Sequence, residues 1–250
     1  MKTFPVKIPY KTTPSMSRNM DSVFELTSQA TTKFQELVRW DTDLYNSRRE
    51  DLVQLAINKL NIELVDFGHS SSIVNLALNF REDVALMHRG ILEAICFCYP
   101  SSWVPAERVG QSLTQIHAPV ADGEILRDKS QRIAESMATQ HSFRRYVWTI
   151  STTGELSNHP KMIKPAVTDH TTFADLFFRT ETQTTMALGD NETSLFFVKV
   201  DTIPLSDLWH DTEKRQAIID SVNSMSDAVL QYKNLVEIKS VINKNNFIQI

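Results

Sequence analysis

The order of helical and strand patterns constrains the fold of this chain more than any other feature. Helical spacing prevails up to about residue 87, strand patterns then follow one another, and a helical stripe begins after Pro204. Because the strands do not alternate with helices, the order predicts an α+β fold and not a parallel α/β fold. We predict an extended arm at 1–20, a single domain at 21–235 and a C-terminal tail at 236–250.

The spacing of apolar residues predicts the individual elements. Helices are expected over 43–66, 72–87 and 126–140, and one long helix follows Pro204. Strands are expected over 91–99, 145–151, 177–183 and 194–200. Side chains two apart on a strand share a face. Arg179, Glu181 and Gln183 are therefore expected to project together from one strand.

Composition excludes several classes of function. Only 6 of the 250 residues are glycine, and the chain lacks the glycine-rich dinucleotide, P-loop and nucleophile-elbow motifs. The formal net charge of −4 comes with no clustered basic face, so the sequence does not indicate nucleic-acid binding. No apolar run reaches the length of a signal peptide or a membrane helix. We therefore expect a cytoplasmic protein that does not enter a membrane.

Glycine and proline concentrate in one segment, residues 100–123, which holds five of the fifteen in the chain. Such a segment is expected to be a loop of fixed shape, and rigidly held loops often carry functional sites. His117 lies in it between two apolar residues and two positions before Pro119. Its imidazole is either a hydrogen-bonded core group or a ligand or base, since neutral imidazole is the usual metal ligand.

Three further groups of residues admit both a structural and a functional interpretation. Cys96 and Cys98 are either small buried residues or thiolate ligands of a metal. The polar set on the strand at 177–183 is either a solvated face or a pocket wall, in which Arg179 binds an anion and Glu181 a cationic amine. The third group is Arg144, Arg145 and Trp148. It is either a surface basic pair beside a core tryptophan or part of the same pocket.

Ordered motifs over roughly residues 34–235 resemble the haem-dependent oxidative N-demethylases, whose haem-binding subunit has a PAS-like fold. The segments that carry the resemblance are Trp40–Tyr45 with Arg48 and Arg49, Glu82–Met87, the pattern from Pro100 to Val120 that includes Trp103, Glu107, Arg108, Gly110, Ile116, His117 and Pro119, the pair Arg145 and Trp148, the strand with Arg179, Glu181, Gln183 and Thr184, and the helix from Leu205 to Tyr232 and Lys233. The chain departs from the family pattern at Val147, Thr182 and Thr185, which replace asparagine, arginine and leucine.

The resemblance implies a PAS-like antiparallel sheet, flanked by N-terminal and C-terminal helices, that binds haem b. We infer His117 as the iron ligand, because the family motif centres on it and Pro119 restrains it, with a Cys96 or Cys98 thiolate as the alternative. Around the haem the resemblance implies contacts from Trp103, Arg145 and Trp148, and a catalytic set of Arg179, Glu181 and Gln183.

The function implied is an oxygenase-like oxidation of a small amine or amine-bearing metabolite, such as N-demethylation, with O₂. Two cysteines are too few for a plant-type iron–sulfur cluster, so electrons are expected from a separate reductase or from peroxide. A non-catalytic haem-binding or gas-sensing protein is the alternative, and a cofactor-free scaffold is a third interpretation. A homo-oligomer built on a free strand edge or on the N-terminal arm is also compatible with the sequence.

Overall fold

The computed structural model describes residues 4–27, 30–139 and 142–244, which form an α+β fold. The strands are β1 Ser17–Arg18, β2 Tyr45–Ser47, β3 Asp83–His88, β4 Ile91–Cys96, β5 Phe143–Ser151, β6 Phe177–Ala187 and β7 Thr193–Pro204. They make one antiparallel sheet of seven strands in the order β1-β5-β6-β7-β3-β4-β2. The expected α+β class and antiparallel sheet are thereby confirmed, and the architecture is consistent with a PAS-like fold.

Helices precede, interrupt and follow the strands. They are α1 Ala30–Trp40, α2 Glu50–Leu60, α3 Ser72–Leu78, α4 Leu113–Ile116, α5 Glu124–Thr139, α6 Ser206–Trp209, α7 Thr212–Asn223, α8 Asp227–Tyr232 and α9 Val236–Lys244, with 3₁₀ turns at Asp41–Asp43, Pro105–Arg108 and Phe173–Asp175. None of the helices in the described part of the chain combines the length and hydropathy needed to cross a bilayer.

Two apolar cores form against the sheet. The first joins β3, β4 and β7 to α1, α2 and α3, with the side chains of Leu44, Val53, Ile73, Leu86 and Phe197 among its buried members. The second joins β5 and β6 to α6, α7, α8 and α9 through residues that include Trp148, Phe178, Ile218, Val222 and Ile242. The sheet therefore separates into a half packed by N-terminal helices and a half packed by C-terminal helices.

The helix expected over 72–87 is wrong in its second half. Helix α3 ends at Leu78, and the side chain of Asn79 binds the backbone of Val65 with both its amide nitrogen and its oxygen. The residues from Asp83 onward pair instead with β4 and β7. Hydrogen-bonded pairing of this segment with a strand on each side outweighs the helical propensity that the spacing of its apolar residues indicates.

Two other helix predictions are corrected in the same way. Of the helix expected over 43–66 only α2 forms, because residues Tyr45–Ser47 pair with β4 at the edge of the sheet. The long helix after Pro204 is broken into α6, α7 and α8. The side chains of Asp211 and Ser226 accept hydrogen bonds from Lys214 N and Val229 N, and such N-caps favour a new helix start.

The two ends of the chain pack together. Backbone and side-chain hydrogen bonds join Tyr10 N to Ser224 Oγ at 2.8 Å and Ser221 Oγ to Lys7 O at 2.8 Å. In the segment expected as a tail, α9 buries three apolar side chains in the second core, those of Ile238, Val241 and Ile242. The division into arm, domain and tail stays a prediction, and residues 245–250 lie outside the described part.

Candidate functional site

The register between β5 and β6 determines which polar side chains share a face. Arg145 lies opposite Gln183, and Val147 lies opposite Glu181. Directly opposed residues of an antiparallel pair project to the same side. We call this side, with Arg145, Arg179, Glu181 and Gln183, the site face. The expectation that the three polar residues of β6 project together is confirmed.

Arg179 is held entirely by protein acceptors at the inner part of the site face. It is 1% exposed, and its guanidinium donates to Leu156 O, to Tyr99 O at 3.1 Å and to Ser101 Oγ at 3.0 Å. Burial lowers its pKa, and the charge of Glu181 opposes that shift. Its Nε has no hydrogen-bond partner within the described residues. Arg179 therefore ties the loop after β4 to the segment before β6.

Glu181 lies beside Arg179, and the protein orients its carboxylate. Ser101 Oγ donates a short hydrogen bond to Oε1, and Gln183 Nε2 donates to Oε2 at 2.7 Å. The carboxylate also raises the pKa values of Arg145 and Lys233, against the effect of burial. Glu181 is half-buried, so its charge is both fixed in direction and within reach of solvent.

Arg145 is the cation on the site face that the protein leaves without a partner. Its guanidinium makes no hydrogen bond or ion pair with any residue in the described ranges, whereas that of the adjacent Arg144 donates to Asp21 Oδ2 at 2.7 Å. Solvent reaches part of the Arg145 side chain, yet burial lowers its pKa. We use the term cleft for this half-buried region around Arg145 and Glu181 on the site face.

His117, from the loop at 100–123, lies close enough to Arg145 for that charge to act on its imidazole. It directly follows α4, whose start is fixed by a reciprocal capping box between Ser112 and Gln115. Burial, and to a lesser extent the charge of Arg145, lowers the pKa of His117 to about 4. Its Nδ1 is buried and has no hydrogen-bond partner in the described part of the chain. The imidazole is therefore neutral at physiological pH and free to bind a ligand.

The loop that carries His117 is fastened to β4. Gly110 N donates to Leu92 O at 2.7 Å, and Leu92 N donates to Gln111 O at 3.0 Å. Gly110 has a φ of +90°, and a Cβ there would lie 2.5 Å from Arg48 Nη1. Only glycine accommodates both the backbone conformation and the arginine. The segment thus has the fixed shape expected from its glycines and prolines.

Three side chains that sequence reasoning did not assign to the site lie within electrostatic range of Arg145. Burial raises the pKa values of Tyr10 and Tyr232, and the charge of Arg145 acts on both. Burial lowers the pKa of Lys233 to about 8, with Glu181 and Arg145 as the charges that act on it. Lys233 and Tyr232 belong to the motifs that carry the resemblance, which is the one signal in the sequence that points to them.

Of the two tryptophans expected at the site, Trp148 lies on the other face of the sheet. Trp148 is 4% exposed and stacks on Phe178 with ring centroids 5.5 Å apart, in the second core and on the opposite face of the sheet from Arg145. Trp103 packs edge-on against Phe97 at 5.6 Å. Thr182, which replaces a family arginine, also projects from the face opposite Glu181, while Val147 lies next to Glu181.

The cysteines lie in the first core, away from solvent. Cys96 and Cys98 are both free and 0% exposed. A hydrogen bond with Cys96, and then burial, raises the pKa of Cys98 well above its ordinary value. A thiol with a raised pKa stays protonated, and the protonated form is a poor metal ligand.

An open groove of about 470 Å³ lies apart from these residues. It is lined mainly by hydroxyl and amide groups, those of Thr42, Tyr45, Asn46, Ser47, Ser70 and Ser71, with Glu50 and Ala106. None of the site residues inferred from the sequence takes part in it. Within the described ranges no group of three or more histidine, cysteine, aspartate or glutamate side chains is arranged to hold a metal ion.

Residues 15–243 match the model of one protein family, described as haem-dependent oxidative N-demethylase, alpha subunit-like. The match covers the arm from Ser15 and the whole sheet. No curated protein shows a significant match to the chain.

Proposed function

Because the chain belongs to the haem-dependent oxidative N-demethylase, alpha subunit-like family, we propose that it is a haem b-dependent oxygenase-like enzyme. Its substrate is a small amine or amine-bearing metabolite, which it oxidises by N-demethylation or a related reaction. O₂ is the oxidant, and a separate donor protein supplies electrons. The observation that carries the proposal is the neutral, unpartnered imidazole of His117 in one cleft with Arg145 and Glu181.

The donor set of the cleft fits haem. A haem needs one axial protein ligand, and its two propionates need cations or hydrogen-bond donors. His117 offers a buried nitrogen with no partner in the described part of the chain, and Arg145 offers a guanidinium in the same condition. His117 would bind the iron, and Arg145 would bind a propionate.

The protein's own groups then have distinct roles. Bound haem supplies an iron centre that activates O₂ for attack on a C–H or N–H bond next to it. Glu181 would hold the protonated amine of the substrate, since its carboxylate is kept in one orientation by Ser101 and Gln183. Arg179 maintains the loop that presents Ser101, and its placement among carbonyl groups suits this positioning role.

The proposal is tested by titrating the purified protein with haem and recording the absorption spectrum. We expect a saturating Soret band at one haem per chain, which His117→Ala weakens or shifts. His210→Ala, at an exposed histidine, is the matched control and is expected to behave as wild type. A wild-type chain that binds no haem would remove the proposal.

The CO spectrum of the reduced protein separates the two ligand hypotheses, because thiolate and histidine ligands give different bands. A histidine-type band that is lost in His117→Ala supports the assignment above. A thiolate-type band that persists in His117→Ala and disappears in Cys96→Ser or Cys98→Ser would transfer the ligand role to a cysteine.

A haem-binding protein without turnover is the second candidate. It is favoured by one observation, that both oxygens of Glu181 already accept hydrogen bonds from the protein. Supplying electrons and O₂ to the haem-loaded protein with methylated amines distinguishes the two. Steady loss of amine supports the enzyme, and stable binding of O₂ or CO with no loss of amine supports the sensor.

A further inference from the structure

Ser101 determines the direction of the Glu181 carboxylate. Its hydroxyl accepts a hydrogen bond from Arg179 Nη2 at 3.0 Å and donates one to Glu181 Oε1. A guanidinium can only donate, and a serine hydroxyl carries a single proton. The proton of Ser101 is therefore directed at Glu181, and whatever fixes Ser101 also fixes the orientation of that carboxylate.

Ser101 is held by part of the long connection between β5 and β6, residues 154–162, which we call the connector. Asn158 N donates to Pro100 O at 2.8 Å, and Ser102 N donates to Asn158 O at 2.9 Å. These two hydrogen bonds form a parallel bridge between Ser101 and Asn158. The position of Ser101 therefore follows that of the connector.

His159, the residue after Asn158, anchors the connector inside the protein. It is 0% exposed, and its imidazole stacks on the Trp40 ring with centroids 4.2 Å apart and planes at 19°. Its Nδ1 accepts a hydrogen bond from Lys161 N at 3.3 Å, so the neutral ring carries its proton on Nε2. Nε2 lies 3.4 Å from Asp43 Oδ2, an ion-pair distance and not an aligned hydrogen bond.

The partners of this imidazole come from the N-terminal part of the chain. Trp40 is the last residue of α1, and Asp43 ends the 3₁₀ turn that follows. Asp43 Oδ2 also accepts from Lys161 Nζ at 2.6 Å, but that lysine side chain is 66% exposed, and exposed ion pairs contribute little. The enclosed imidazole of His159 is therefore the firmer link between α1 and the connector.

We propose that His159 is a positioning residue for the substrate amine. Through the bridge between Asn158 and Ser101, it holds the Ser101 hydroxyl where it directs the Glu181 carboxylate. The inference rests on the proposed function, because it takes Glu181 to bind the protonated amine. A carboxylate that turns away loses one charge-assisted hydrogen bond to that amine, which corresponds to about tenfold in affinity.

The test measures binding of dimethylamine to the haem-loaded protein through the shift of the Soret band. His159→Leu, which removes both nitrogens, is expected to raise the dissociation constant about tenfold. Binding of CO to the reduced haem does not use Glu181 and should be unchanged. His159→Gln keeps a planar group with an N–H donor and should stay near wild type. His170→Leu, at an exposed histidine of the same connection, is the matched control.

A second background separates positioning from a general loss of stability. In Glu181→Gln, the further change His159→Leu should alter the dissociation constant of dimethylamine by less than about twofold, because its effect acts only through the carboxylate. Equal losses in the two backgrounds overturn the inference. So does an unchanged dissociation constant in His159→Leu alone.

A measurement on the haem-free chain keeps the inference testable if haem does not bind or if His159→Leu does not fold. Hydrogen exchange followed by NMR reports on Ser102 N–H, which donates to Asn158 O. Asp43→Ala removes the partner of the imidazole and should speed this exchange about tenfold relative to the amide of Ile218 in the second core. An unchanged rate overturns the inference, whereas a wild-type chain that binds no haem removes only the proposed function.

Discussion

Two lysines in this protein occupy opposite electrostatic situations. Lys33, in the first core, is 1% exposed, lies 3.3 Å from Asp83 Oδ1 and donates to Ala77 O at 3.0 Å and to Glu82 O. Lys233, beside the second core, donates to one carbonyl and lies over aromatic rings, with no carboxylate in contact. Both are enclosed by protein, but only the first has an ion-pair partner among the described residues.

The difference separates a charge that the fold itself pairs from a charge that it leaves without an ion-pair partner in the described part of the chain. Asp83 also accepts from Tyr99 N at 2.8 Å, so the buried pair joins α1, β3 and the segment after β4. Removing either partner would leave a lone charge in the core. Lys233 has no such partner, so an anion bound beside it would offset the cost of its charge.

The largest effect on stability is expected at Lys33, whose ion pair with Asp83 is complete. Lys33→Met leaves Asp83 buried without its cation, and we expect a loss of about 3–5 kcal/mol in the free energy of unfolding. Burial already raises the pKa of Asp83 despite the nearby lysine, which shows how unfavourable its charge is there. Urea unfolding measures the change.

The double variant Lys33→Met with Asp83→Leu is the matched control for this prediction. It is expected to recover part of the loss, because no isolated charge remains. A loss below about 1 kcal/mol for Lys33→Met alone would remove the distinction between the two lysines.

A smaller effect is expected from the pH dependence of Lys233. Burial lowers its pKa in the folded protein to about 8 from 10.5, so its charged form destabilises the fold. Between these two values the unfolded chain binds more protons, and stability rises with pH. The free energy of unfolding of wild type relative to Lys233→Met should therefore increase by about 1–2 kcal/mol from pH 8 to 10.5, since solvent reduces the full value.

Comparing wild type with Lys233→Met at each pH cancels the contribution of other titrating groups to the pH dependence of stability. An anion bound beside Lys233 should flatten the curve, because it restores the pKa of the lysine. A wild-type curve parallel to that of Lys233→Met, without ligand, would indicate that Lys233 is paired in solution.

The smallest effect is expected for the unpartnered arginine. Arg145→Met removes a charge that makes no hydrogen bond or ion pair in the described part of the chain, and we expect the free energy of unfolding of the ligand-free protein to change by less than about 1 kcal/mol. Thermal unfolding measures this, and Arg144→Met, which breaks the contact with Asp21, is the comparison at the adjacent position. A loss comparable to that of Lys33→Met would show that Arg145 is part of the fold.

Local pattern predicted those parts of the site that depend on one strand or one loop. The period of two in β6 places Arg179, Glu181 and Gln183 on one face, and the order of elements predicts the antiparallel sheet. The glycines and prolines around His117 indicate a loop of fixed shape, which the hydrogen bonds to β4 provide.

The remainder depends on contacts that no local pattern encodes. Arg145 and Trp148 are three positions apart, which on a strand directs them to opposite faces, so a motif that includes both cannot bring both into one pocket. Tyr10 and Lys233 meet only because the arm packs on the C-terminal helices. The helix over 72–87 fails because strand pairing from Asp83 outweighs apolar spacing.

The packing of the arm on the C-terminal helices has a consequence for biosynthesis. The hydrogen bond from Tyr10 to Ser224 joins residues 214 positions apart, and Lys233 lies still later in the chain. A ribosome must therefore release nearly the whole chain before this packing can form. A nascent chain stalled before α8 therefore holds every strand of the sheet but lacks the packing of the arm on the C-terminal helices.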